Sequence, residues 1–329
     1  MIISKTPFRI SFFGGGTDYP VWFKENQGAV LVTTIDKYCY ISCRRLPPFF
    51  DYNYRILYSM VETTKSVDKI IHPSVRECLK FMKIKEGVEI HHDGDLPART
   101  GLGSSSSFTV GLLNCLTALN GKIISQEQLA KNAIAVEQEW IRENVGCQDQ
   151  ISTALGGFNL IEFTDKEKFK VQPLTLPAER LKELQSHLML VFTGFSRIAS
   201  EIAEKLVKTV SRKEKELNAI HQMVYEGIKI LNGKSDITEF GKLLHEGWKV
   251  KRGLTNNITT PAIDQIYEAS LKAGALGGKL LGAGGGGFLL LFAKPEIQKK
   301  IITKLDGFLH VPFQFENSGS QIVHYKPEN

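Results

Sequence analysis

The 329-residue chain has no long hydrophobic run. Its longest uninterrupted apolar stretch, residues 288–293, falls far short of the roughly 20 residues that a membrane-crossing helix needs, so no membrane partner is expected. Cysteine is sparse: Cys39, Cys43, Cys78, Cys115 and Cys147 are odd in number, scattered and without a CxxC pair. That pattern argues against a disulfide framework or a thiolate zinc site and predicts five reduced thiols. Charge of one sign never accumulates either. Lys+Arg 41 against Asp+Glu 35 gives +6, spread along the chain with no Lys/Arg block, a balance that suits an anionic ligand. Charge alone does not separate a phosphate metabolite from nucleic acid. The first residues, Met-Ile-Ile-Ser-Lys-Thr-Pro, lack a basic segment followed by an apolar core and a cleavage site, which predicts a cytoplasmic protein. There is no fixed-period repeat and no low-complexity linker.

What is present reads as a soluble globular protein, 42% hydrophobic and 23% charged, with length for about two domains. β-Branched and aromatic content predicts strands over residues 29–35 and 37–44, joined tightly at Asp36, and over 87–92. Helical patterns follow over 104–119 and 126–142, the second opened by Ser125 as N-cap, before a polar loop leads into Asp149. From about residue 177 long charged helices dominate (198–231, 238–252, 261–273), with short β runs around Leu280 and over 288–292. The expectation is an α+β chain of two domains, 1–180 and 181–329, packed directly with a cleft between them.

Glycine clusters at Gly14, Gly15 and Gly16, at Gly101 and Gly103, and over 274–287, where eight of fourteen positions are Gly. Such clusters mark sharp turns or close approach of backbone to a ligand, and three of them suggest one shared site. In Pro97-Ala98-Arg99-Thr100-Gly101-Leu102-Gly103-Ser104-Ser105-Ser106-Ser107, a Gly-rich turn opens an apolar helix. Unpaired N–H groups at the positive end of a helix dipole form an anion cradle, and the serine hydroxyls add donors, one of which can ligate Mg²⁺. Ordinary capping by Ser104 would need one serine and no glycine. The segment is not a Walker A loop. Gly282 to Gly287 satisfies GxGxxG, yet a β run follows it where a dinucleotide fold needs a helix.

Glu137, within the second predicted helix, and Asp149, on the loop after it, are the carboxylates of interest, a pair able to divide the work of metal ligand and general base. On spacing alone Glu137, beside Glu139, reads as part of a solvated helix face. Arg9 and Asp18 flank Gly14 to Gly16; they could place a cation by reacting oxygens and a carboxylate on a sugar hydroxyl, or Asp18 could cap the short helix after it. Cys147 reads as a small packing residue. His91 and His92 are neighbours on a strand and face opposite sides, which disfavours joint metal ligation.

Taken together, these segments resemble the GHMP kinases. Thr6-Pro7-Phe8-Arg9 through Gly14-Gly15-Gly16-Thr17-Asp18-Tyr19, Pro97 through Ser107, and Lys279 through Phe288 look like the three family motifs in the family's order. The resemblance implies the two-domain fold of that family, with ATP and Mg²⁺ in the cleft. Gly101, Leu102, Gly103, Ser104, Ser105 and Ser106 would hold the ATP phosphates, and Ser105 and Glu137 the Mg²⁺. The twelve-residue separation of Glu137 from Asp149 is the one galactokinases show between metal-ligating Glu and catalytic Asp. It makes Asp149 the catalytic base with Arg9 beside it. Gly15, Gly16, Thr17, Asp18, Gly284 and Gly285 would meet the acceptor. Galactokinases carry Glu-His where this chain has Gly15-Gly16, which argues against galactose.

Within the superfamily the first and third motifs look most like bacterial D-glycero-D-manno-heptose 7-phosphate kinases, and next like the kinase part of bacterial fucokinase/GDP-fucose pyrophosphorylases. This implies phosphorylation of a sugar's anomeric hydroxyl on the way to a GDP-sugar, with a small sugar phosphate as partner and no nucleic acid. A distal phosphate needs a forked cation or a helix N-terminus. Arg197 after Gly194-Phe195-Ser196 offers both, with Lys249, Lys251 and Arg252 as rivals. A diphosphomevalonate decarboxylase and a sugar-sensing regulator without catalysis are the alternatives from other classes.

Overall fold

The structure, a computed structural model, describes residues 1–164, 169–194, 212–255 and 258–327. The strands in chain order are β1 (Ile2–Phe13), β2 (Gly28–Arg45), β3 (Tyr54–Leu57), β4 (Val61–Thr64), β5 (Val88–Gly94), β6 (Phe158–Phe163), β7 (Phe169–Pro173), β8 (Leu188–Phe192), β9 (Gly277–Leu280), β10 (Phe288–Phe292), β11 (Leu309–Val311), β12 (Phe315–Glu316) and β13 (Gln321–Tyr325). They form a nine-stranded sheet around β1 and β2 and a four-stranded antiparallel sheet in the order β11-β8-β10-β9. Among the described residues no helix is long and apolar enough to cross a membrane. No disulfide joins the five cysteines, all of which are buried.

β1 alternates at its start and is wholly buried from Thr6 on, because both of its faces are covered there. The helix Ser104–Leu119, buried at every position from Ser106 to Thr117, lies against β1 and β2. A continuous apolar core then runs from the first sheet to the second. Its joint is aromatic. Phe12 and Phe13 at the end of β1 meet Phe240 of the helix Thr238–Arg252 edge-on at 5.5 and 5.2 Å, and Phe240 in turn meets Phe292 of β10 at 6.2 Å. Edge-to-face pairs contribute about 0.5–1.5 kcal/mol each beyond the area they bury.

The structure corrects four expectations. Asp36 is not a turn: β2 runs through it for 18 residues, and Asp36 and Lys37 instead form a bulge opposite Pro7 and Phe8, with Asp36 bonded through both backbone and side chain to Gln314. The helix expected over 126–142 is α-helical only to Ala135 and then widens into a π-turn over Val136–Trp140. Asp149 lies not in a loop but in the first turn of the helix Gln148–Leu155. The second sheet begins at β8, near the expected boundary at residue 180, yet the chain returns to the first sheet through β12 on β2 and β13 on β1. The C-terminal strands therefore belong with the N-terminal half.

Residues of all three glycine clusters line one cleft, and two of the clusters pack directly on each other. A Cβ on Gly101 would lie 2.4 Å from the Leu281 carbonyl oxygen, one on Gly282 2.4 Å from Gly101 Cα, and one on Gly287 2.3 Å from the Thr100 carbonyl oxygen. The Phe288 N–H donates to the Thr100 carbonyl at 3.1 Å. Backbone thus packs on backbone between the two halves, with no room for side chains.

This contact generates a stability prediction. Gly282 (φ +70°) and Gly121 (φ +66°) share the left-handed region, but a Cβ on Gly121 meets nothing within 4 Å. Gly121→Ala should cost about 1 kcal/mol from backbone strain alone, and Gly282→Ala at least ~3 kcal/mol because the loops must also separate. Denaturant unfolding of both variants measures the difference; equal losses would mean that the loops are not in contact.

Candidate active site

The Gly101–Ser106 segment is built as an anion cradle. Gly101 and Gly103 have φ of +83° and +75°, and Gly103 is the N-cap of the helix with no side-chain cap. The Ser104 hydroxyl does not cap the helix; it accepts the Arg99 N–H at 3.1 Å. The first-turn N–H groups of Ser104, Ser105 and Ser106 are left for a ligand at the positive end of a 16-residue helix. All three serines line a cleft of about 610 Å³. Leu102 does not: its side chain is fully buried, and its carbonyl accepts the Arg9 N–H at 3.0 Å.

Arg9, only 4% exposed on β1, holds this loop to Asp149. Nε and one terminal nitrogen donate to the two Asp149 carboxylate oxygens at 2.7 and 2.6 Å, and the other terminal nitrogen donates to the Gly101 carbonyl at 2.6 Å. This fork fixes the carboxylate plane while leaving one lone pair on each oxygen, and Asp149 is 25% exposed to the cleft. Gly103 has to be bare here, since a Cβ would meet Arg9 Cγ at 3.0 Å and Asp149 Oδ2 at 3.5 Å.

Glu137 is not on a solvated face. The π-turn rotates it inward to 1% exposure, where Oε2 accepts from the Ser106 hydroxyl at 3.0 Å and from Gln150 Nε2. Its Oε1 has no partner. Burial pushes this carboxyl up to about 7. An unpartnered buried carboxylate oxygen on the cleft wall, beside serine hydroxyls and an anion cradle, fits Mg²⁺, which takes one or two protein carboxylates and draws its other ligands from phosphate and water. Among the described residues no cluster of three or more His, Cys, Asp or Glu offers an all-protein cage.

Asp18 does not cap the helix that follows it. Its carboxylate accepts the Gly16 N–H at 2.9 Å and the Gln148 N–H at 3.3 Å, its carbonyl accepts the Cys147 N–H, and it lines the cleft. Burial raises its pKa. Gly146 is required because a Cβ there would sit 1.9 Å from Asp18 Oδ2. Gly15, Gly16 and Gly284 line the same cleft. Thr17 does not; its buried hydroxyl donates to the carbonyls of Gly14 and Ala29 and holds the turn. Gly285 is set back, with its N–H on the Ile258 carbonyl. Arg197 lies outside the described residues. Of its rivals, Lys249 pairs with Glu246 and Arg252 with Asp264 on the surface, whereas Lys251 faces the cleft.

Lys251 and Lys279 are the groups that sequence reasoning undervalued. Lys251 Nζ donates to the carbonyls of Leu280 and Gly282 at 2.8 and 2.6 Å, and Lys279 Nζ to the Phe12 carbonyl at 2.8 Å. Burial, with the Arg9 charge nearby, pushes Lys251 down to about 7 and Lys279 well below its ordinary value. The signal was available: Lys251 falls on the stripe Phe240, Leu244, Trp248 that its helix buries.

A helix N-terminus and an ionisable cluster recur on many folds, so the geometry alone defines a chemistry and not a family. The model of the GHMP kinases N terminal domain matches residues 69–157, and that of the GHMP kinases C terminal domain matches residues 228–310. The chain belongs to the GHMP kinases. As a member of this family it is an ATP-dependent kinase. It is 29% identical over 315 residues to the D-glycero-alpha-D-manno-heptose 7-phosphate kinase of Campylobacter jejuni, covering 92% of this chain and 93% of that protein. With the galactokinase of Pyrococcus furiosus it shares 25% identity, covering 91% of each. Its fold resembles the crystal structure of a D-glycero-D-manno-heptose 1-phosphate kinase from Bacteroides thetaiotaomicron, with a TM-score of 0.78 at 24% identity over 99% of this chain and 100% of that one.

The desolvated lysines give the GHMP kinase a pH signature. A lysine whose folded pKa is depressed binds fewer protons when folded than when unfolded between that pKa and its ordinary value. The contribution of Lys251 to stability therefore rises as pH goes from about 7 to about 10.5, and its burial penalty is fully present below that window. The unfolding free energy of the wild type relative to Lys251→Met should rise across this window, a difference that cancels the opposite trend of the desolvated cysteines and tyrosines. An equal change in both would show that Lys251 is solvated when folded.

Proposed function

We propose that the protein transfers the γ-phosphoryl group of ATP to the anomeric C1 hydroxyl of a sugar phosphate. The observation that carries this is the fork of Arg9 on Asp149, which presents an oriented carboxylate to the cleft beside an uncapped helix N-terminus. Asp149 takes the proton of the acceptor hydroxyl as that oxygen bonds to phosphorus and the bond from phosphorus to the β–γ bridging oxygen breaks, releasing ADP. The N–H groups of Ser104, Ser105 and Ser106 hold the phosphates, and Arg9 positions the base and screens charge near the reacting oxygens. Glu137 Oε1, with Ser105 or Ser106, would hold Mg²⁺, which when bound neutralises charge on the phosphate oxygens. Asp18 would accept hydrogen bonds from acceptor hydroxyls.

The acceptor we favour is D-glycero-D-manno-heptose 7-phosphate, converted to the 1,7-bisphosphate in the supply of GDP-heptose for surface polysaccharide. The form of the first and third motifs and the similarity to the Campylobacter protein support this reading. Lys251 and Lys279, on the cleft wall and paired with no carboxylate among the described residues, would take up charge as an anion binds and so meet the distal phosphate. A fucokinase-like 1-kinase is the second reading, supported by 27% identity over 246 residues to the L-fucokinase/L-fucose-1-P guanylyltransferase of Bacteroides fragilis, of which the match covers 25%.

ADP formation over a panel of sugars and sugar phosphates tests both. Heptose 7-phosphate should be turned over best, and Asp149→Asn should cut kcat by about 10²-fold or more while ATP binding persists. Near-wild-type turnover in that variant would remove Asp149 from the mechanism, and a preference for unphosphorylated fucose would select the second reading.

The metal reading makes its own prediction. Glu137→Gln should raise the Mg²⁺ requirement and lower kcat. Combined with Ser105→Ala or Ser106→Ala, it should be strongly non-additive for whichever serine shares the ion. Unchanged Mg²⁺ dependence in Glu137→Gln would return Glu137 to a structural role.

A further inference from the structure

Gly14, Gly15 and Gly16 are consecutive, but only two of them have a conformational reason to be glycine. Gly14 has φ +89°, and a Cβ there would lie 1.9 Å from the Ala29 carbonyl oxygen; Gly16 has φ +106°. Gly15 is outside the left-handed region, and a Cβ on it would meet nothing nearer than Gln148 Nε2 at 3.6 Å and Ser11 Oγ at 3.9 Å. Those are ordinary van der Waals distances, so alanine would fit and would lower the chain entropy lost on folding. The backbone does not need this glycine.

The two side chains that flank the open volume carry buried polar atoms without partners. Ser11 is 6% exposed and its Oγ is unsatisfied, as is Gln148 Oε1. Both residues line the cleft, and Asp18 and Asp149 face the same space. A buried unpaired hydroxyl or amide oxygen is costly unless something completes it. A hydroxyl group can donate to Gln148 Oε1, and a hydroxyl can both donate to and accept from Ser11 Oγ.

We propose that the volume over Gly15 seats the carbon chain of a polyhydroxylated acceptor, that Ser11 Oγ and Gln148 Oε1 read its hydroxyl groups, and that Gly15 sets the largest acceptor the cleft admits. This rests on the sugar-kinase reading above and deepens it. Gly14, Gly16 and Thr17 shape the turn, whereas Gly15 is bare for the ligand.

Steady-state kinetics on aldoses of five to seven carbons, with and without a terminal phosphate, tests the proposal on Gly15→Ala, Gly15→Val, Ser11→Ala and Gln148→Met. Gly15→Ala should lower kcat/KM for the preferred acceptor by roughly 10- to 200-fold, with a larger loss in Gly15→Val and a smaller one on shorter acceptors. KM for ATP should not change in Gly15→Ala, and its melting temperature should hold or rise. Ser11→Ala and Gln148→Met should lose on the natural acceptor and not on the analogue lacking the hydroxyl that each one reads. Losses equal across acceptor lengths, no loss at all, or a parallel loss of ATP affinity would overturn the proposal while leaving the kinase reading intact. A wild-type enzyme inactive with ATP on every polyhydroxylated acceptor would overturn both.

Discussion

The guanidinium of Arg9 is shared between Asp149 and the carbonyl of Gly101, and nearly every other feature of the cleft has to be arranged so that this sharing is possible. The strand that carries Arg9 must end beside the Gly101–Ser106 loop, which the bond from the Arg9 N–H to the Leu102 carbonyl enforces. The loop must be free of Cβ atoms at Gly103, or it would collide with the Arg9 stem. The helix Gln148–Leu155 must start where its first turn meets the guanidinium. Breaking a largely buried bidentate pair by removing one member leaves the other charge desolvated, typically at 3–5 kcal/mol. The constellation is therefore held together by the same interaction that orients the proposed base.

The second constraint is the absence of side chains where the two halves touch. Gly101, Gly282 and Gly287 let the loop that opens the Ser-rich helix and the loop before β10 share hydrogen bonds and van der Waals contact through backbone alone. Behind this contact the aromatic joint of Phe12, Phe13, Phe240 and Phe292 supplies the apolar burial that bare backbone cannot. The division of labour follows from chemistry: aromatic rings bury large areas, whereas backbone N–H groups and glycine turns allow a charged ligand to come close.

Sequence alone made the glycine clusters, the Ser-rich helix start, Arg9, Asp18 and Asp149 legible, because each is marked by a residue type whose backbone or charge properties are unusual. Glu137 was legible only through family resemblance. Regular helical spacing put it beside Glu139 on a solvated face, and the π-turn that turns it inward leaves no periodic trace. Lys251 was lost among three basic residues at a helix end, although the apolar stripe could have singled it out. Thr17 and Leu102 were assigned to the ligand because they sit inside motifs, but their side chains serve the turn and the core. The return of β12 and β13 to the first sheet was not legible, since edge pairing over more than 270 residues of separation has no local signature.

The cleft concentrates groups that the fold holds at a cost. Burial raises the pKa of Asp18 and Glu137 and lowers that of Lys251 and Lys279. In each case the desolvated charge is the form that a ligand of opposite sign favours: a cation at Glu137, hydroxyl donors at Asp18, an anion at the two lysines. The carboxylates come from the first half of the chain, on the turn after β1 and the π-turn. The lysines come from the second half, on the helix Thr238–Arg252 and on β9. A ligand carrying both phosphate and hydroxyl groups therefore relieves penalties on both sides of the backbone contact at once. The proposed acceptor would thus favour the docked arrangement, in which both sets of groups face one cleft.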